Sequence, residues 1–580
     1  MKRQNDIEEV LESPELNENC QEVITSDDYI DVVRELELIG LAEQMEVNDA
    51  GCVQILNNQF GVFHIKRDGM SCDELYQIQP YQEVPNIFGL NGQRAVYSAG
   101  ISAVFKLPAL QLTGNDVIIG LVDTGIDYTH EAFIYEDGTS KILSIWDQTS
   151  AGNPPEGFKY GTEYSVEQIN EALQAEDPFS IVPEKDEIGH GTFLAGVAAG
   201  RENKKENFIG AAPDASLVVV KLKQAKECLR DFYSIKDGAI GFQSNDLILG
   251  INYLMRKAKS LEKPIILLIG LGDNMGPHDG FTFTEKILEQ YSRVPGAIIT
   301  VAGGNEANKR HHYEGEYDKD EEFQSLQFNV PEGEKGFYIS FWNYTPDKYV
   351  ISLTSPRGTE TGKIPPRHEQ KQAITFIAET TEILVEYVTI EARTGDEAIF
   401  IRLKNPSPGL WNMNVYGDLV VNGRYDLWLP REGFVEPNTT FLSPDPRTTV
   451  TTPSTNINTI TVGAFNDVTK SLYVASGRGP TRSFEIKPDI VAPGVDVSGP
   501  MPNNTYGSMS GTSVATAITA GACALLMEWG VVKGNDPKMD TLTAKSLLIR
   551  GANRRPSLIY PNPEWGFGEI DLLNTFKLTE

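Results

Sequence analysis

Apolar and polar positions follow three patterns along the chain. From about residue 117, short apolar runs end in Gly- and Asp-rich turns and give way to helical segments. Residues 117–122, 216–221, 264–269 and 297–302 read as strands, and 245–258 as a helix between the second and third of them. Such alternation predicts a parallel sheet with helices on both faces, an α/β fold. Between about 312 and 446 helical periodicity almost disappears. Strands are predicted over 337–342, 349–353, 374–377, 383–390, 398–403, 409–416 and 424–429, separated by turns such as Pro331-Glu332-Gly333. Seven or more short strands predict a β-sandwich or jelly roll. The α/β pattern resumes at 457–462 and ends in helices near 513–529 and 541–550.

The first 97 residues stand apart. Over 27–45 the apolar positions Ile30, Val33, Leu36 and Leu38 have a helical rhythm, and 51–65 alternates as strands do. That predicts a small α+β unit. Residues 81–98 then read as an extended polar linker with Pro85, Gly89 and Gly92. The expected organisation is a leader (1–97), an α/β domain in two parts (98–311 and 447–580) and a β-rich insertion (312–446).

Composition narrows the function. The leader carries 19 acidic against 6 basic residues, and the 580-residue chain has a formal net charge of -31. That charge disfavours nucleic acid as a partner, because such surfaces need clustered Lys and Arg. A 40% hydrophobic share supplies a large core. No run of about 18–20 apolar residues predicts a membrane span. The polar first twenty residues lack the apolar region of a secretory signal, so a cytoplasmic location is expected. The five cysteines, Cys20, Cys52, Cys72, Cys228 and Cys523, are scattered without CxxC pairs. They read as reduced thiols.

Three segments together carry candidate chemistry. Val122-Asp123-Thr124-Gly125 ends an apolar strand. Gly189-His190-Gly191-Thr192 opens a helix of small residues. Gly511-Thr512-Ser513-Val514 opens another. A serine hydroxyl becomes a nucleophile when an imidazole takes its proton, and the imidazole needs a carboxylate on its other nitrogen to hold the tautomer. A serine at a helix start also sets its N–H and the helix dipole where negative charge develops. Asp123, His190 and Ser513 therefore form a candidate catalytic triad. After the strand over 298–302, Ala302-Gly303-Gly304-Asn305 offers Asn305 as an oxyanion donor. Each segment alone has a structural reading: an Asx turn, a buried histidine, a helix cap or a turn asparagine. Their order and context favour the chemical one.

Together with Ser476-Gly477-Arg478-Gly479-Pro480 and Lys487-Pro488-Asp489-Ile490-Val491-Ala492-Pro493-Gly494, these segments resemble the subtilase superfamily of serine proteases. The stretches Ile142-Leu143-Ser144-Ile145-Trp146-Asp147-Gln148 and Asp177-Pro178-Phe179-Ser180 resemble the Csp-type proteases of clostridial spores. The resemblance implies a subtilisin-like sheet, a protein substrate and a self-cleaved N-terminal propeptide that stays bound as an inhibitor. It also implies an association with spores, where the family activates a cortex-degrading hydrolase at germination. Some members of that family have lost triad residues and act as pseudoproteases, so a catalytically silent binding protein is the alternative; this chain keeps all three. Substrate is expected to pair with Gly270-Leu271-Gly272 and to lie against Ala302, Gly303 and Gly304. Gly270 departs from the family, which has Ser-Leu-Gly at this strand. Cleavage of the leader is expected between about Asn91 and Ser98. No cofactor or metal motif is visible; calcium is left open, because no EF-hand-like loop occurs.

Overall fold

The computed structural model describes residues 20–36, 50–56, 59–67, 69–71, 83–85, 87–90, 98–105, 110–367 and 371–579. In the leader, helix α1 (Cys20–Thr25) packs on a sheet of β1 (Tyr29–Glu35), β2 (Ala50–Ile55) and β3 (Phe60–Lys66), ordered β1-β3-β2 with antiparallel pairs. Residues 29–35 are thus strand where the apolar rhythm predicted helix; residues 37–45 of that predicted helix lie outside the described residues. The physical reason is burial of both faces. Ile30 and Val32 join one apolar cluster and Val33 another, so the i, i+3 spacing of Ile30 and Val33 does not mark a single face. Strand β4 (Ile87–Leu90) follows.

The reading of the cysteines as reduced thiols is corrected. Cys20 and Cys52 form a disulfide, with Cα atoms 5.5 Å apart, and Cys228 is also disulfide-bonded. Among the described residues Cys523 alone is a free thiol. Cys20 and Cys52 are 32 residues apart and meet only because α1 folds back on β2.

The α/β unit is built on an eight-stranded sheet. Its strands are β5 (Ile118–Asp123), β6 (Ile142–Asp147), β7 (Thr162–Ser165), β8 (Ser216–Lys221), β10 (Ile265–Ile269), β12 (Ala297–Ala302), β23 (Ile460–Phe465) and β24 (Ile490–Pro493), with the short strands β9 (Phe242–Gln243) and β11 (Leu271–Gly272) outside it. The order is β24-β23-β12-β10-β5-β8-β6-β7, parallel except for β7. Helices α2 (His190–Ala199) and α6 (Thr512–Met527) share the core on one face. Helices α4 (Ser244–Ser260) and α5 (Phe283–Tyr291) share that on the other, with α3 (Glu227–Phe232) near the leader. Small residues let α2 and α6 approach closely: a Cβ on Gly521 would stand 2.9 Å from the Ala198 carbonyl oxygen. The segment Thr512–Val532 has the length and apolarity of a membrane span, but its most apolar stretch is 89% buried inside the protein, as in a core helix.

The insertion consists of β13 (His312–Glu316), β14 (Gln324–Val330), β15 (Gly336–Asn343), β16 (Lys348–Thr354), β17 (Lys371–Phe376), β18 (Thr381–Val388), β19 (Ala398–Lys404), β20 (Gly409–Leu419), β21 (Arg424–Trp428) and β22 (Thr440–Phe441). They form two antiparallel sheets, ordered β13-β21-β15-β19-β18-β17 and β16-β20-β14-β22, around Phe328, Phe341, Trp411 and Tyr425. The chain enters and leaves at one point, since the Asp445 N–H donates to the His312 carbonyl at 2.9 Å.

A buried ionic cluster joins leader and α/β unit. Asp31, on β1, bonds His64 Nδ1 (2.7 Å) and Lys226 Nζ (2.8 Å) through Oδ1, and accepts from Gln243 (2.7 Å) and Asn245 (3.2 Å) at Oδ2. Burial would raise its pKa, but Lys226 and His64 outweigh that and hold it well below the usual carboxylate range.

Candidate active site

Asp123, the last residue of β5, is fully buried. Its Oδ1 accepts from the Thr124 N–H (2.8 Å) and bonds His190 Nδ1 at 2.7 Å. His190 is the first residue of α2, behind Gly189, whose φ of +87° suits glycine. Its Nε2 lies 3.3 Å from Ser513 Oγ, and Ser513 stands in the first turn of α6. The three residues, 67 and 323 positions apart in sequence, thus meet in one hydrogen-bonded row.

Asp186 holds the row together and went unnoticed in the sequence. Its Oδ1 accepts from Thr124 Oγ1 (2.8 Å) and from the N–H groups of Ile188 and Gly189 (3.2 and 2.8 Å). Its Oδ2 accepts from the N–H and hydroxyl of Thr192 (2.8 and 2.7 Å). Thr124 Oγ1 accepts in turn from the Gly191 N–H at 2.9 Å. One carboxylate therefore caps the amino end of α2 and ties it to the turn after Asp123. Its signal was an acidic residue four positions before His190. Close by, Glu184 accepts from the Ile126 N–H (3.2 Å), and burial pushes its pKa well above the usual range.

Asn305 follows β12. Its Oδ1 accepts from the Thr512 N–H (3.1 Å) and hydroxyl (3.2 Å), which orients the amide so that the NH₂ end is left to donate. Thr512 Oγ1 accepts from the Gly304 N–H at 3.0 Å. Glu306, the next residue, bonds His311 Nδ1 (2.7 Å) and accepts from the Glu432 N–H (3.0 Å), both contacts at the edge of the insertion. Arg431 of the insertion donates to the Gly272 carbonyl at 3.2 Å.

Gly270, Leu271 and Gly272 run past this row of three residues. A Cβ on Gly270 would lie 3.2 Å from His190 Cε1, 3.3 Å from Ser513 Cβ and 2.6 Å from Leu194 Cδ1. Leu194 thus fills the space that a serine at 270 would need. Strand β4 of the leader lies antiparallel between two edges, with Leu90 opposite Leu271, Gly89 opposite Gly272 and Phe88 opposite Phe242. Residues 91–97, most of the predicted cleavage window, lie outside the described residues. Among the described residues no cluster of three or more His, Cys, Asp and Glu could hold a metal.

The arrangement is that of a hydrolase with a serine nucleophile. The subtilase family model matches residues 114–242 and 438–568, on either side of the insertion. The structure is similar to the CspB protease of Clostridium perfringens, with a TM-score of 0.74 and 32% identity, over 83% of this chain and 98% of that one. Serine protease AprX of Bacillus subtilis is 34% identical over 126 residues, 18% of this chain and 27% of that protein. Subtilisin of Bacillus pumilus is 39% identical over 79 residues, 14% and 26%. These matches span about a quarter of the curated relatives. The chain belongs to the subtilase family of serine endopeptidases, and its likeness to the CspB protease places it among the Csp-type members.

Proposed function

We propose that the protein cleaves peptide bonds through Asp123, His190 and Ser513 and processes its own leader. Ser513 Oγ attacks the scissile carbonyl while its proton passes to His190 Nε2. Asp123 keeps Nδ1–H in place and stabilises the imidazolium. The Asn305 amide and the Ser513 N–H at the start of α6 receive the oxyanion. His190 then gives its proton to the leaving amine, and water releases the acyl group. The observation that carries this reading is the row of 2.7 and 3.3 Å contacts through His190, with Asn305 held beside it by Thr512.

The leader (1–97) is a propeptide on this reading. Strand β4 occupies the cleft as a substrate would, by β-augmentation between Leu271-Gly272 and Phe242-Gln243. After cleavage it remains as an inhibitor. The resemblance to Csp-type proteases supports a cortex-degrading hydrolase as the protein substrate during spore germination. Intact-mass measurement of wild type beside Ser513→Ala tests the core of this. Wild type is expected as two fragments, and Ser513→Ala as one chain near 64.1 kDa. A wild type that stays one chain while it cleaves added peptide rules out self-processing. One that stays one chain and cleaves nothing rules out the catalytic reading.

A further inference from the structure

We propose that the protein binds a small organic oxyanion, a carboxylate or a phosphate ester, in a cavity between α3 and the insertion, where Arg230 and Ser234 hold its head group. Asp123, His190 and Ser513 do not line this cavity, so the site stands independently of the peptide-cleaving reading.

The cavity measures about 370 Å³, within the ~300–1,000 Å³ usual for small-molecule sites. One wall is the end of α3 and the loop that follows it, residues 230–237. The other is the turn between β14 and β15, residues 333–335, with the end of β19. Hydrogen bonds fix the walls to each other. Arg402 of β19 donates to the Asp231 carbonyl at 2.7 Å, and the Lys236 N–H donates to the Phe434 carbonyl at 2.9 Å. A preformed cavity lowers the ordering cost of binding.

Two polar groups here have lost water without gaining an adequate partner. Arg230 is half-buried, and burial lowers its pKa against the opposite pull of Asp237 and Asp231. Its guanidinium makes a long hydrogen bond, 3.5 Å to the Lys236 carbonyl, and forms no ion pair among the described residues. Desolvating a cation is costly unless an anion answers it. The Ser234 hydroxyl is buried with no hydrogen-bond partner among the described residues. Buried hydroxyls are rarely left so. Ser234 also holds a φ of +50°, which residues with a Cβ seldom adopt. Backbone strain of that kind gathers at ligand sites, where the surroundings impose it.

The other charges are already answered or screened. Lys236 bonds Glu436 at 2.9 Å, and Lys335 bonds Asp237. Glu334 accepts from the N–H groups of Gly336 and Glu436 (3.1 and 2.9 Å) and from the Thr439 hydroxyl (2.7 Å). Asp231 is exposed, so water and salt screen its charge. Lys404 adds positive charge from the insertion. The fork of N–H donors on Arg230 fits two oxygens of a carboxylate or phosphate, and the Ser234 hydroxyl supplies a further donor. Ile235 offers apolar surface to the carbon part of the ligand.

The test uses full-length Ser513→Ala protein, so that no cleavage intervenes. Sodium butyrate and ethyl phosphate, each against sodium chloride at equal ionic strength, are titrated by calorimetry and by melting temperature. The expected result is saturable binding of one ligand per chain, with a Tm that rises with ligand concentration. The tighter of the two probes names the head group. Arg230→Gln should weaken binding by about tenfold or more, the loss of a charge-assisted hydrogen bond. Ser234→Gly should weaken it about threefold or more. Without ligand, Ser234→Gly should melt no lower than the parent protein, because glycine suits the positive φ and the unpaired hydroxyl is gone. A purely structural role for Ser234 would move the melting temperature and leave binding alone. Shifts no larger than those of chloride, several ligands per chain, or binding that survives Arg230→Gln or Ser234→Gly would overturn the site.

Discussion

Asn305 accepts two hydrogen bonds from Thr512, at 3.1 Å from its N–H and 3.2 Å from its hydroxyl, so the residue before Ser513 sets the orientation of the Asn305 amide. Asn305→Ala should lower kcat by about 10²–10³-fold with little change in KM, the loss known for the oxyanion-hole asparagine of subtilisin. Initial rates on a peptide series measure it. A change in KM alone would place Asn305 in substrate binding instead.

Ser513→Ala and His190→Ala should each reduce hydrolysis by several orders of magnitude, and the double variant should be little worse than either, because triad members act as a unit. Ser513→Ala removes one oxygen from a packed helix and should leave the circular dichroism spectrum unchanged. A folded Ser513→Ala protein with wild-type rates would displace Ser513 from the mechanism.

Asp31→Ala should loosen the leader. It leaves Lys226, 4% exposed, facing a buried site without its carboxylate. Breaking one side of a buried pair costs about 3–5 kcal/mol. Limited proteolysis of the full chain reports it, with faster loss of the leader expected than in wild type. Unchanged protection would mean that the apolar contacts alone hold the leader.

The insertion should carry a pH-dependent weakness at Glu397. Burial pushes its pKa up to about 7, and its Oε2 is buried with no hydrogen-bond partner among the described residues. An acid whose folded pKa is raised stays protonated in the fold while the unfolded chain ionises, so stability falls as pH rises from the unfolded value, near 4.5, through about 7. Glu397→Gln keeps the neutral shape. It should match wild type near the lower limit of that window and exceed it by about 1–3 kcal/mol above pH 7. Denaturant midpoints at the two ends of the window decide the matter, and equal differences at both would remove Glu397 as the cause.

The sequence by itself determined the α/β pattern, most strands of the insertion and the residues of the candidate triad. Those signals are local: a doubly buried strand is an unbroken apolar run, and a helix start beside a functional residue is marked by glycine and threonine. Tertiary structure decided what depends on distant partners. Residues 29–35 became strand because β3 pairs with them and cores on both faces bury them. Cys20 and Cys52 bonded because α1 packs on β2. Asp186 became the clamp of the row because Thr124 and Thr192 converge on it from separate elements. Pairing between residues far apart in sequence leaves no periodicity to read, because the contact is made by the fold and not by spacing along the chain.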